Sequence, residues 1–334
     1  MQNYSHCLTL KDLPSPPAGR TGFPWTEQSQ PLPDRLPDGS EYPRISIVAP
    51  SYNQGIFLEE TIRSVLLQGY PNLEYIIIDG GSNDESVEII KKYDRFLTYW
   101  VSEPDSGQTN AINKGIQRIS GQIFAWLNSD DVYAKDALKH VAQSFQTEEF
   151  ALLCGQCEFM NAESERLYQA DYTETMNLLT VLADHQVAQP SCFINTNLFK
   201  SCGSLNEDLH YSFDYDYWVR LLLQDIKIHS APILLSRYRL HQQSKTETSR
   251  PKFDREIELV HQNALSHQSS VDVKRAIAKC YRRFASEYYF WYGDRATSMS
   301  YFHKMMQTDP LACDLSALKI YGKNLLNKKH YAKS

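Results

Sequence analysis

Apolar residues in this chain come in short runs separated by polar clusters, and the runs alternate between two periods. Ile45-Ser-Ile-Val-Ala49 is a β-branched run suited to a buried strand. It stops at the turn-rich Pro50-Ser-Tyr-Asn-Gln-Gly55. Leu58, Ile62, Val65 and Leu66 then recur at helical spacing, with Glu59 and Glu60 near the helix start. Gly69-Tyr-Pro71 ends that helix, and a second run, Tyr75-Ile-Ile-Ile78, ends at Asp79-Gly-Gly-Ser82. Asn83 and Asp84 are placed to cap a helix carrying Val87 and Ile90. The alternation continues with a strand over 97–101 and a helix carrying Ile112, Ile116 and Ile119. A strand over 122–127, a helix over about 135–145 and a strand from about Phe150 follow. Strands alternating with helices predict βαβ units: an α/β fold with a mostly parallel central sheet flanked by helices.

The rhythm loosens after residue 150. Up to about 245 the chain mixes aromatics and carboxylates without a clean repeat, and 249–334 reads as a helical C-terminal appendage, with Tyr281, Phe284, Tyr288 and Phe290 as its packing residues. At the other end, residues 1–43 hold 8 of the 15 prolines. Proline removes donors and fixes φ, so this stretch is expected to be an extended arm or loose leader and not a folded unit. The expected division is an arm over 1–43, an α/β domain over 44–248 and the appendage over 249–334.

In open α/β sheets, ligands sit beyond the carboxyl ends of the strands. The polar clusters Pro50–Gly55, Asp79–Asp84, Ser102–Gly107 and Asn128–Asp131 all fall at such ends. The pair Asp130-Asp131 follows a buried strand, where two carboxylates need a cation or hydrogen bonds to balance them. A divalent ion shared with a diphosphate does this, and so does capping of the next helix. Within Glu103-Pro-Asp105-Ser-Gly107 a tight turn leads into a helix whose first amides and Lys114 can face a diphosphate, with Asp105 the best candidate contact. Gln189-Pro190-Ser191 and His185 are weaker candidates for the acceptor side.

Four segments carry a family resemblance: Ile47-Val-Ala-Pro-Ser-Tyr-Asn-Gln54, Ile76-Ile-Ile-Asp-Gly-Gly-Ser82, Trp126-Leu-Asn-Ser-Asp-Asp131 and Asp214-Tyr-Asp-Tyr-Trp-Val-Arg220. A fifth, Tyr238-Arg-Leu-His-Gln-Gln-Ser244, is similar to the stretch that closes the catalytic core. Together, over roughly 200 residues from Arg44, they resemble the family 2 inverting glycosyltransferases of the GT-A fold. The resemblance implies a metal-dependent, hexosyltransferase-like enzyme with a nucleotide-sugar donor, acting on a saccharide or lipid-linked acceptor in polysaccharide or glycan biosynthesis. It implies that Asp131 ligates Mn²⁺ or Mg²⁺ on the donor diphosphate, with Asp130 beside it, because Ser129 stands where the family often has its first aspartate. Pro50, Tyr52 and Asn53 match the loop against the nucleoside, and Asp79 matches the carboxylate ending the second strand. Gly80 stands where many members have an aspartate that reads uracil, which leaves UDP, dTDP, GDP or another carrier open. His241 matches a histidine that reaches back to the metal or diphosphate. Arg237 and Arg239 either neutralise phosphate charge or decorate a strand.

Asp214 matches the catalytic base, which in an inverting transfer takes the acceptor hydroxyl's proton. Asp216 is its local competitor: on a strand the two share a face, on a helix they diverge. Ser129, Gly80 and Asn110, where relatives usually carry aspartate, also fit a second reading, a non-catalytic nucleotide-sugar sensor or scaffold.

Composition narrows the field further. A net charge of −6 argues against a nucleic-acid partner. Seven cysteines, an odd number, do not suggest a disulfide framework, and Cys154 and Cys157 read as buried strand thiols. No run approaches the ~18 apolar residues of a membrane span, and the first residues lack the pattern of a secretory signal. The expectation is a cytoplasmic protein, with peripheral association at the inner membrane face left open.

Overall fold

The computed structural model describes residues 7–147, 152–170, 176–184 and 187–331. The first half alternates as its sequence predicts: β1 (Ile45–Ser51), α1 (Gly55–Leu66), β2 (Leu73–Asp79), α2 (Ser86–Tyr93), β3 (Tyr99–Ser102), α3 (Gln108–Ile116), β4 (Ile123–Trp126). A short β5 (Val132–Tyr133) and α4 (Ala137–Thr147) follow. Next come β6 (Leu152–Met160), β7 (Arg166–Ala170), α5 (Leu178–Asp184), β8 (Cys192–Asn195), α6 (Thr196–Cys202), α7 (Phe213–Leu223) and β9 (Ile228–Arg239). Helices α8 (Lys245–Thr248), α9 (Arg250–His267), α10 (Val271–Phe290), α11 (Arg295–Thr308) and α12 (Leu315–Tyr331) complete the chain.

The strands form one sheet in the order β3-β2-β1-β4-β8-β6-β9-β5, with β7 against β6. β3, β2, β1 and β4 are parallel neighbours, as the βαβ rhythm requires. Beyond β4 the sheet is mixed: β8 is antiparallel to β4 and β6, β7 to β6 and β5 to β9, while β6 and β9 run parallel. One of these pairings has a local cause. Only a short turn, closed by Asn161 N–H to Glu165 O at 3.0 Å, joins β6 to β7, which permits only an antiparallel hairpin.

Successive side chains on a strand point to opposite faces, and here each face feeds its own core. Ile45, Ile47, Tyr75, Ile77 and Ala125 pack with Leu58, Ile62 and Val65 of α1 and Val141 of α4. Val48, Ile76, Ile78, Phe124 and Trp126 pack on the other side with Ile112 of α3 and Trp218 of α7. The rings of Trp126 and Trp218 stack at 5.7 Å and 10°, which seats α7 on β4. This second core continues without a break into Ile257, Phe284, Tyr288 and Phe302 of the C-terminal helices. Tyr281, Phe284 and Tyr288 are buried as expected. Phe290 is not: two residues past Tyr288 it turns away from that stripe and is 63% exposed.

The proline-rich segment is irregular but it is not loose, which corrects half of the expectation. Leu8, Leu13 and Trp25 are buried, and Ser29 N–H and Leu32 N–H bond the carbonyls of Leu67 and Gly69. Gly69 has φ +62°, and a Cβ there would meet Gln30 O at 2.7 Å, so the strap lies directly on a position only glycine fills. Arg63 of α1, fully buried, anchors it by donating to the carbonyls of Pro14 (2.8 Å), Pro24 (3.0 Å) and Trp25 (3.1 Å) and to Tyr93 Oη (3.0 Å). Proline's missing donors leave the strap's carbonyls without local partners, and one guanidinium collects three of them.

Arg63→Met should leave these buried acceptors unpaired and destabilise the fold by about 3 kcal/mol. Urea denaturation checks this. Limited proteolysis should cut between residues 7 and 43 sooner in the variant, and unchanged stability would mean that the strap is ornamental.

Candidate active site

The loops after β1, β2 and β3 are stitched to one another. Ser51 pairs with Asp79 at the last register position, and Gly80 N–H continues to Ser51 O. Asn53, with φ +51°, accepts from Asn83 N–H through Oδ1 and donates its own N–H to Ser82 Oγ. Asp84 takes Gly55 N–H at 2.9 Å, so the aspartate expected to cap α2 also fixes the first turn of α1. Pro50 is buried beneath this loop and Tyr52 stands 61% exposed on its lip, an aromatic face open to a base.

Asp79 is fully buried and its carboxylate is saturated. Ser82 N–H and Oγ, Gly81 N–H and Ser102 Oγ all donate to it, at 2.6–3.2 Å. It shapes the loop and has no lone pair directed outward. Gly80 is explained by its neighbour: a Cβ there would meet Asp105 Oδ2 at 2.8 Å. Asp105 Oδ1 takes Gly107 N–H at 2.8 Å, so the carboxylate at this place comes from the loop after β3. Asn110 is explained similarly. With Asn113 it donates to Glu207, at 2.9 and 2.8 Å, whereas an aspartate at 110 would face that carboxylate as a like charge.

At the end of β4 the two aspartates part company. Asp131 is turned inward, 1% exposed, with Oδ1 accepting from Arg239 N–H at 2.9 Å and Oδ2 from Asn128 Nδ2 at 3.2 Å. Burial first, and the charge of Asp130 second, push its carboxyl well above the ordinary range. Asp130 is the accessible member, and its Oδ2 lies 3.0 Å from His241 Nε2, whose ring packs on Phe57. Arg239 is no phosphate clamp. Its buried guanidinium donates to Asp130 O, Ala162 O, Ser164 Oγ and Glu60 Oε2. Arg237 pairs with Glu158 at 3.0 Å. Among the described residues no group of three or more histidine, cysteine, aspartate or glutamate side chains is gathered to hold a metal ion. Asp130 and His241 supply one oxygen and one nitrogen, a set that fits a transition ion such as Mn²⁺ better than the all-oxygen shell of Mg²⁺.

Asp214 is the second residue of α7, and the helix separates it from Asp216. Asp216 is buried and paired with Arg220 Nε at 2.8 Å, so Asp214 is the unpaired carboxylate of the two. Burial raises the Asp214 carboxyl to about 6, opposed by the Tyr215 amide and Lys245 and assisted by Glu256. Lys245, absent from the sequence reading although it directly follows the Tyr238–Ser244 stretch, links the two halves. Its ammonium donates to Gln108 Oε1 (2.9 Å) and His210 O (3.0 Å), and Gln108 in turn donates to Asn128 Oδ1 (2.6 Å). The same ammonium lies in the field of both Asp214 and Asp130.

Tyr52, Asn53, Asp105, Asp130, His241 and Asp214 thus stand about one rim, with Pro50, Asp79 and Asp131 built in beneath it. Lys114 meets the loop after β3 at Glu103. Six residues into α3 it has been carried about 9 Å from the helix start, and its ammonium pairs with Glu103 at 3.0 Å. Gln189 is buried under the β4 end, donating to Trp126 O, and His185 lies outside the described residues. Cys154 and Cys157 are buried free thiols on β6, and burial pushes Cys157 up to about 12. Gln108 and Glu256 were missed because each resembles an ordinary helical surface residue.

Gly80→Ala should destabilise by about 1–3 kcal/mol through the collision with Asp105. Asp105→Gly in the same chain should restore most of that loss. Thermal melts of the two single variants and the double variant give the coupling, and strict additivity would separate the two positions.

The sequence profile described as glycosyl transferase family 2 matches residues 46–199. An uncharacterized glycosyltransferase of Rickettsia prowazekii is 30% identical over 216 residues, 62% of this chain and 67% of the relative. Among solved structures, Staphylococcus aureus TarS 1–349 in complex with UDP-GlcNAc superposes with a TM-score of 0.61 at 16% identity, covering 79% of this chain and 81% of that one. The mannosyltransferase PcManGT of Pyrobaculum calidifontis, in complex with GDP-Man and Mn²⁺, gives 0.58 at 14% identity, with 85% and 80% covered. These likenesses establish the GT-A fold. With the profile match and the Rickettsia relative, they identify the chain as a member of glycosyl transferase family 2.

Proposed function

We propose that this glycosyltransferase transfers a sugar with inversion from a nucleotide-diphosphate sugar to an acceptor hydroxyl, with Asp214 as the base. The observation that carries the reading is Asp214 itself. Its carboxyl is poised near 6, unpaired, with the Lys245 ammonium close by. In the step, the acceptor oxygen bonds to C1 as the C1–O bond to the diphosphate breaks. The acceptor proton passes to Asp214 and the bonding pair leaves with the nucleotide diphosphate. Lys245 and the amides at the start of α3 are placed to meet the negative charge that develops on the leaving group.

Asp130 and His241 are the residues that would hold a divalent cation against the diphosphate, and such a cation supplies neutralisation of the leaving charge. Asp131 supports them from below: its bond to Arg239 N–H fixes the strand end that leads to His241. Tyr52 and Asn53 are the side for the nucleoside and Asp105 the carboxylate nearest it. The acceptor is a saccharide end or a lipid-linked glycan of the kind built into cell-surface polysaccharide. Among the described residues no helix is long and apolar enough to cross a membrane. Two of the three departures that suggested a sensor are matched by neighbouring residues: Asp105 occupies the space beside Gly80, and Asn110 donates to Glu207.

Since Asp214 acts as its carboxylate, the rate should rise with pH below about 6 and level off above it. Asp214→Asn should cost about 100- to 10,000-fold in turnover while leaving nucleotide binding intact. Full turnover by that variant ends the base assignment.

Calorimetry with UDP, UDP-GlcNAc, GDP and GDP-Man, with and without Mn²⁺, tests the donor site. One carrier should bind in a Mn²⁺-dependent manner, and Asp130→Ala and His241→Ala should each weaken that binding by about tenfold or more. Equal affinity with and without metal in all three proteins would remove the cation from the reading.

A further inference from the structure

Helix α7 begins without a cap of its own. Its first turn presents amides that need acceptors, yet the side chain of Ser212, the N-cap residue, accepts none of them. The Ser212 hydroxyl points elsewhere and donates to Phe253 O at 3.4 Å. The acceptor for the chain entering α7 comes from α9. Glu256 Oε1 takes His210 N–H at 2.9 Å, and Oε2 takes Tyr211 N–H at 2.8 Å and Ser212 N–H at 2.7 Å. Three consecutive amides converge on one carboxylate, each a charge-assisted bond, at the end of a helix where negative charge is favoured.

We propose that Glu256 is a positioning residue for glycosyl transfer: its carboxylate clamps the chain at 210–212 and so fixes the direction in which Asp214, two residues further on, meets the acceptor. The proposal rests on the reading of Asp214 as the base. It also gives the C-terminal helices a part in the chemistry, since α9 lies beyond the stretch that closes the transferase core. The clamp has a second consequence through space. Three groups from elements packed about Asp214 act on it or are acted on by it: the Lys245 ammonium of α8, the Glu256 carboxylate of α9 and the Cys192 thiol of β8. Lys245 favours the ionised base, and Glu256 disfavours it by like charge. Loss of the Glu256 charge therefore moves the Asp214 titration to lower pH, while loss of the clamp's reach shows in the rate.

The experiment compares wild type, Glu256→Gln and Glu256→Asp by ¹³C NMR of labelled aspartate carboxyls, with the Asp214 signal assigned from Asp214→Asn. Hydrolysis of UDP-GlcNAc or GDP-Man with water as acceptor is followed alongside. In Glu256→Gln the Asp214 midpoint should fall below its wild-type value near 6, and hydrolysis at pH 8 should drop about tenfold or more through loss of orientation. Nucleotide affinity should be preserved. Glu256→Asp keeps the charge but falls short by one methylene, so it should retain the wild-type midpoint while still losing rate. An unchanged Asp214 midpoint in Glu256→Gln, or a rate loss matched by loss of nucleotide binding in both variants, overturns the clamp. Failure of the underlying reading looks different: Asp214→Asn would hydrolyse donor at the wild-type rate, whatever the titration in Glu256→Gln does.

Discussion

The buried guanidinium of Arg239 is the joint on which the half of the rim carrying Asp130 and His241 depends. A charge removed from water is tolerated only when every donor finds an acceptor, and this one is satisfied from four directions. It ties the β4 end through Asp130 O, the β6–β7 turn through Ala162 O and Ser164 Oγ, and α1 through Glu60, while its ring neighbour is Phe57 at 4.7 Å. Its backbone N–H adds the bond to Asp131. Two residues later the same strand end delivers His241 to Asp130 at 3.0 Å. The geometry of that pair, His241 buried and Asp130 partly exposed, is therefore set from underneath by the Arg239 side chain. This is the usual division between groups that react and groups that hold them.

Carboxylates at this rim take opposite roles according to what surrounds them. Asp79, Asp131, Asp216 and Glu256 are each satisfied by donors from the protein, and they shape loops or seat helices. Asp130 and Asp214 keep an oxygen for something else. Raising Asp214 toward 6 by burial while binding up its neighbour Asp216 separates a proton acceptor from a structural ion pair two residues apart. Compensation also works between segments. Gly80 has no side chain because Asp105 fills the place, and Asn110 is neutral because Glu207 faces it. Two departures that look like decay along one segment, Gly80 and Asn110, are thus matched by a neighbouring one.

The parallel half of the fold was legible because its information is local. β-branched runs followed by Gly, Ser and Asn clusters mark β1, β2 and β4 and put their polar tips on one side. The mixed half was not, since the pairing of β6 with β8 and β9 joins residues 40 to 80 positions apart that share no sequence signal. The same limit applies within the site. Asp214, Asp130 and His241 were named from their motifs. That Asp131 faces inward depends on Arg239, 108 residues away, and the arginine's own burial depends on Glu60. Lys114 stands six residues along α3 with its ammonium on Glu103, a pairing that a motif does not display. Glu256 sits in Arg-Glu-Ile-Glu, which reads as any solvated helical face.

The C-terminal helices follow from the same physics. The first turn of α7 is buried except for the partly exposed Asp214, so the helix needs support on its other faces. Trp218 and Leu221 take it from the sheet and from a core that also holds Ile257, Val260 and Phe284. A second tie runs through Tyr215, whose hydroxyl lies 3.0 Å from the buried His261 of α9. Burial drives that imidazole down to about 3, so at neutral pH it is uncharged and places no cation behind the base. The helices thus fix α7 while leaving the field at Asp214 to Lys245 and Glu256. A transferase core that ended near residue 248 would lose the element that holds the chain entering α7 and, with it, Asp214.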